Sequence, residues 1–123
     1  MSSISHILLE LAREHGHPLG DRNHGYHLHL PLSVDGRIDA EAYRRNPAPC
    51  RVRRFRPGEA DARGQVIHGP GGRWVFDYTD TTERDNETGF RLGEERFVPG
   101  EYVSIREDDG KMHVFQVLLV RPD

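Results

Sequence analysis

His24, His27 and His29 crowd three imidazoles into the segment HGYHLHLPL, residues 24–32. In an extended chain His27 and His29 project to the same side, about 6–7 Å apart at the backbone. Two imidazoles so placed can converge on one Zn²⁺ or Cu²⁺, because both ions accept neutral ring nitrogens. His24 is the nearest third ligand, with His15, His17, His113 or a carboxylate as further candidates. This gives a metal set of His24, His27 and His29, with zinc or another divalent transition metal as the cofactor. The plainer alternative uses the same alternation: Tyr26, Leu28 and Leu30 take the core, and the histidines are the solvated side of a strand.

A second candidate follows in RRNPAPCRVRRFRP, residues 44–57, which holds six arginines and no acid. Arg51, Arg53, Arg54 and Arg56, with Phe55 among them, have the chemistry to bind a phosphate or a single nucleic-acid strand. The net charge of -3 opposes a nucleic-acid partner, since no global field attracts a polyanion. The alternative is an exposed strand whose charges deter edge-to-edge pairing.

Other features point to structure. Trp74, Phe76 and Tyr78 alternate and read as the core stripe of one sheet. Asp80, Glu83, Asp85 and Glu87 form an acidic loop without the ligand spacing of a calcium loop. Cys50 excludes an internal disulfide and, without a positioned base, reads as a small structural residue. There is no Gly-rich phosphate loop, nucleophile elbow or His-Glu-x-x-His, so catalytic machinery is not identifiable.

The elements that would carry these residues are mostly strands. Turn signals recur about every 8–12 residues from residue 17 onward, the rhythm of a small antiparallel barrel. GEYVSIREDDGKMHVFQVLLVRP, residues 100–122, is the clearest hairpin, turning at DDGK. Asp39 reads as the N-cap of a short helix through Glu41, Ala42 and Tyr43. Ile4, Ile7, Leu8 and Leu11 fit an amphipathic helix stripe ended by Gly16 and Pro18.

The expected fold is α+β, mainly β: a small antiparallel β-barrel or roll of about seven short strands, with an N-terminal amphipathic helix and a short second helix. It forms a single domain over 1–123: a helix in 1–16, a loop, strand and short helix in 17–49, and the barrel in 50–123. Leu9 falls off the helix stripe, so a homodimer through that helix is expected. No apolar run reaches the roughly 20 residues of a membrane span. The start of the chain lacks a basic leader, and the expected location is cytoplasmic. The function these features support is a non-catalytic binding or interaction module. The competing readings are a metal-dependent protein built on His27 and His29, and an anion or nucleic-acid binder built on the arginines.

Overall fold

In a computed structural model of the chain, residues 3–14, 16–79, 87–89 and 92–123 are described. Eight strands run antiparallel in chain order and close into a barrel. They are β1 (Ile4–Leu11), β2 (Asp21–Pro31), β3 (Arg51–Phe55), β4 (Ala62–His68), β5 (Trp74–Tyr78), β6 (Glu87–Gly89), β7 (Tyr102–Arg106) and β8 (Met112–Pro122). One short helix, α1 (Ala40–Arg45), lies in the β2–β3 connection. No helix among the described residues is long and apolar enough to cross a membrane.

The N-terminal helix expected from the sequence is a strand instead. β1 pairs with β2 on one side and with β8 on the other. Residues 4–11 satisfy two periods at once. The helical stripe is Ile4, Ile7, Leu8 and Leu11, whereas the strand stripe is Ile7, Leu9 and Leu11. Ile7 and Leu9 are fully buried and Leu11 nearly so, while Leu8 is only partly buried. The strand wins because β2 and β8 would otherwise present open edges with unpaired backbone groups. Among the described residues the fold is therefore an antiparallel barrel with one short α-helix, not an α+β arrangement with two. The helical surface from which a dimer was expected does not exist, since Leu9 points into the core.

The interior is filled by side chains, as expected for a barrel of about eight strands. Tyr26, Phe76, Phe97 and Phe115 are among the largest fully buried groups. Tyr26 meets Phe115 edge-on at 5.0 Å and Phe76 at 5.6 Å between ring centroids. Trp74, Phe76, Tyr78, Val103, Ile105 and Val117 face the core as their alternation requires. Leu119 does not, and remains 38% exposed. Leu8 pairs with Leu119 but Leu9 with Val117, so Leu118 is an extra residue in a bulge that reverses the alternation beyond it.

Both barrel ends are closed by specific contacts. α1 starts where the Asp39 side chain accepts a hydrogen bond from the Ala42 N–H at 3.0 Å. Tyr43 anchors it, donating its hydroxyl to the Val66 carbonyl at 3.0 Å and packing edge-on against Trp74. Toward the other end, β1 and β2 come so close at Gly25 that a Cβ there would lie 1.9 Å from the Leu9 carbonyl oxygen. Only glycine allows that approach.

Phe76→Ala should lower unfolding free energy by about 3–5 kcal/mol in denaturant titration. Leu9→Ala should cost about 2–5 kcal/mol, and Leu8→Ala clearly less. The reverse order would restore the helical phase for residues 4–11.

Candidate anion-binding site

Strand alternation sends His27 and His29 to the outer side of β2, opposite the buried Tyr26, Leu28 and Leu30. The residues facing them follow from register. His6 of β1 lies opposite His29, and Arg121 of β8 lies opposite His6. On the other side, Arg51 lies opposite His29 and Arg53 opposite His27. Arg63 of β4 is opposite Arg53. Five adjacent strands, β8 and β1 to β4, thus present imidazoles and guanidiniums side by side. His6, His27, His29, Arg51, Arg53 and Arg63 line an outer concavity of about 350 Å³.

The imidazoles stack. His6 and His29 have ring centroids 4.8 Å apart and planes within 5°. His6 and His27 are 5.0 Å apart at 28°. His6 Nε2 and His27 Nδ1 share a hydrogen bond of 2.8 Å, and His29 Nδ1 is 2.9 Å from Asp123 Oδ2. Phe55 extends the row, 5.4 Å from His27.

This environment disfavours charge on two of the rings. Burial, then the charge of Arg53, lowers His27 to about 4; His6 and His29 add to the effect, and Asp61 opposes it. Burial also holds His6 below the ordinary imidazole value, helped by His29, Arg121 and Arg53 and opposed by Asp123. The nearest counter-charge for Arg53 is Asp61, with Nε and Oδ2 3.7 Å apart and both side chains well exposed. An exposed pair of this kind is worth little.

His24 belongs elsewhere. Its Nε2 is 3.0 Å from Oε2 of Glu107, whose side chain is only 2% exposed. The Tyr26 hydroxyl donates to the same carboxylate oxygen. Arg56 Nη2 lies 3.4 Å from it and 2.8 Å from Asp108 Oδ1. Arg54, buried among the core residues, sits over the Tyr78 ring and 3.9 Å from Asp108. His113 joins this group, with Nδ1 3.0 Å from Glu14 and Nε2 2.9 Å from Asp109. The network seals the barrel end at the β7–β8 turn.

The predicted sites are therefore redistributed. The expected metal set of His24, His27 and His29 is split between the closed end and the outer side. His6 takes the third place beside His27 and His29. The four expected anion-binding arginines are split too: Arg51 and Arg53 line the concavity, while Arg54 and Arg56 face Asp108 and Glu107. His6 was missed because a helix would have placed it away from β2. The alternation of Ile7, Leu9 and Leu11 was the signal that could have found it. Arg63, Arg121 and Asp123 join only through pairing, which no local pattern announces.

The His6 and His29 rings are near parallel, so their in-plane lone pairs run side by side rather than toward one point. Among the described residues, no group of three or more His, Cys, Asp or Glu is arranged to hold a metal ion. Of the acidic loop, Asp80, Glu83 and Asp85 lie outside the described residues, as does His15, and Glu87 begins β6. Cys50 is buried, which pushes its thiol up to about 11 and leaves no thiolate for nucleophilic chemistry. No family model fits this chain, and no curated protein or solved structure matches it.

Two groups in the closed end shift in opposite directions. Burial pushes the Glu107 carboxyl up, but hydrogen bonds from His24 and Tyr26, with the charges of His24 and Arg56, hold it below the ordinary value. Burial pushes His113 down, but hydrogen bonds to Asp109 and Glu14, with the charges of Glu107 and Glu14, raise it overall. The Glu107 contribution to stability is present above the unfolded value of about 4.3 and is lost as pH falls through the native value. That of His113 is complete below about 6.5 and is lost as pH rises through its native value.

Glu107→Ala should cost about 1–3 kcal/mol, because it removes a buried carboxylate to which Tyr26 donates and which faces His24 and Arg56. His27 behaves oppositely to His113. The unfolded chain takes up its proton below about pH 6.5 while the native ring stays neutral, so stability falls on acidification. Denaturation of His27→Gln at about pH 7 and about pH 5 should show a smaller acid-induced loss than the parent. An equal loss would mean that His27 titrates normally.

Proposed function

We propose that this barrel is a non-catalytic, cytoplasmic binding module whose outer β1–β4 surface takes a small oxyanion such as a phosphate or sulfate group. One observation carries the reading. Cross-strand pairing sets Arg53 against Arg63, His27 against Arg53 and His29 against Arg51, around a concavity of about 350 Å³. The Arg53–Arg63 pair sets like charges directly opposite one another, which weakens a sheet. A bound anion turns that repulsion into attraction, and guanidinium forks match oxyanion geometry with paired hydrogen bonds.

The concavity is at the small end of the roughly 300–1,000 Å³ range of ligand sites, which suits a compact ligand. The acidic balance of the whole chain argues against a polyanion, and only Arg51 and Arg53 of the arginine run reach this surface. The stacked, hydrogen-bonded rings favour an oxyanion over a transition metal. A strand-borne site also suits ligand recognition, because paired strands hold their side chains more precisely than loops do.

Calorimetric titration of the full chain with sulfate and with inorganic phosphate at low salt should show one site. Arg51→Ala combined with Arg53→Ala should weaken it at least tenfold, a loss of about 1.4 kcal/mol or more. Absence of binding by the parent chain would overturn the reading. Tighter binding of a single-stranded oligonucleotide, lost steeply with added salt, would replace it with a nucleic-acid interface.

A further inference from the structure

The hydrogen bond between His6 and His27 restricts how that pair can serve an anion. Each neutral imidazole has one N–H and one lone pair. Where His6 Nε2 and His27 Nδ1 share a hydrogen bond of 2.8 Å, one ring donates and the other accepts. Of the two nitrogens outside the contact, His6 Nδ1 and His27 Nε2, one then carries hydrogen and the other a lone pair. A lone pair repels an oxyanion. Adding one proton to it leaves the contact bond intact and makes both outer nitrogens donors.

Burial opposes that proton while the site is empty, and the nearest guanidiniums add to it. β8 contributes Arg121, and Asp123 follows that strand; β2 contributes His29, β3 contributes Arg51 and Arg53, β4 contributes Arg63, and the β3–β4 connection contributes Asp61. Arg53 and Arg121 oppose the proton; Asp61 and Asp123 favour it, but Asp123 is engaged by His29 and Asp61 by Arg53. An incoming dianion reverses this balance.

Resting on the oxyanion reading above, we propose that the β1–β4 surface binds its ligand together with one proton, taken up by the His6–His27 pair, so that affinity rises as pH falls. The proton comes from solvent and is returned when the anion leaves; no covalent bond changes. The lowered basicity of both rings fits this sequence of events, because it keeps the empty site unprotonated near neutrality. The site thereby becomes a pH-responsive binder, holding an oxyanion in mildly acidic conditions and releasing it as the medium becomes alkaline.

Sulfate is the probe of choice because it does not itself titrate near neutrality. The full chain is titrated with sulfate by calorimetry between about pH 7.5 and about pH 5.5, in pairs of buffers with different heats of ionisation, which reads proton uptake directly. Affinity should rise severalfold per pH unit, with tenfold as the ceiling for one coupled proton, and uptake should approach one proton. In His27→Gln and in His6→Gln, the pH dependence and the uptake should both collapse, while weaker sulfate binding through Arg51 and Arg53 persists. Circular dichroism of both variants confirms that the barrel remains folded. PH-independent sulfate binding without uptake would overturn the proton coupling and leave the oxyanion site standing. No sulfate binding at any pH would overturn both. Undiminished uptake in both variants would place the proton elsewhere, with His113 the first alternative, and would overturn the role of this pair.

Discussion

The pairing of β1 with β8 is the constraint on which the rest depends. Without it, β1 and β8 would be sheet edges with exposed ladder groups, and Ile7, Leu9 and Leu11 would lose the closed interior they fill. Closure removes the edges and encloses the aromatic core in one step. It also brings His6 between Arg121 and His29, uniting the first and last strands of the barrel with β2. The outer concavity is thus a consequence of the same backbone pairing that makes the barrel stable.

A second principle is the division of labour between neighbours in sequence. Arg51, Arg53 and Arg54 are nearly consecutive, yet alternation sends the first two outward and the third inward. An inward arginine is tolerated only with compensation, here the Tyr78 ring and Asp108. The same holds for Glu107, whose buried carboxylate is surrounded by Tyr26, His24 and Arg56. The closed end therefore uses histidine, arginine and carboxylate to complete the core. The outer side uses histidine and arginine with far less acid. Both clusters are built on histidine and arginine, and they differ in how much acid faces them.

That contrast gives the outer side its functional interest. Like-charged residues opposite one another on paired strands weaken a sheet, and the barrel limits the damage by keeping His6 and His27 short of protons. The stack is held by ring contact, by the His6–His27 hydrogen bond and by Asp123 at His29. The paired strands fix where Arg51, Arg53 and Arg63 leave the sheet, while their guanidiniums extend into solvent.

Much of the barrel was legible in the sequence. The alternation of Tyr26, Leu28 and Leu30, of Trp74, Phe76 and Tyr78, and of Val103 and Ile105 specified which side of each strand is buried, because the two-residue period of a strand is a local property. Asp39 marked the start of α1 for an equally local reason, its side chain capping a nearby N–H. Residues 4–11 were different. Their apolar pattern suited a helix and a strand together, and only the open edges of β2 and β8, distant in sequence, made the strand the lower-energy choice. Leu119 escaped prediction because a bulge against β1 changed its side. The candidate site was legible only in part: His27, His29, Arg51 and Arg53 announced themselves by type and spacing. Their separation from His24, Arg54 and Arg56, and their union with His6, Arg63 and Arg121, were decided by tertiary structure, because cross-strand register is set by pairing energies between segments that share no local signal.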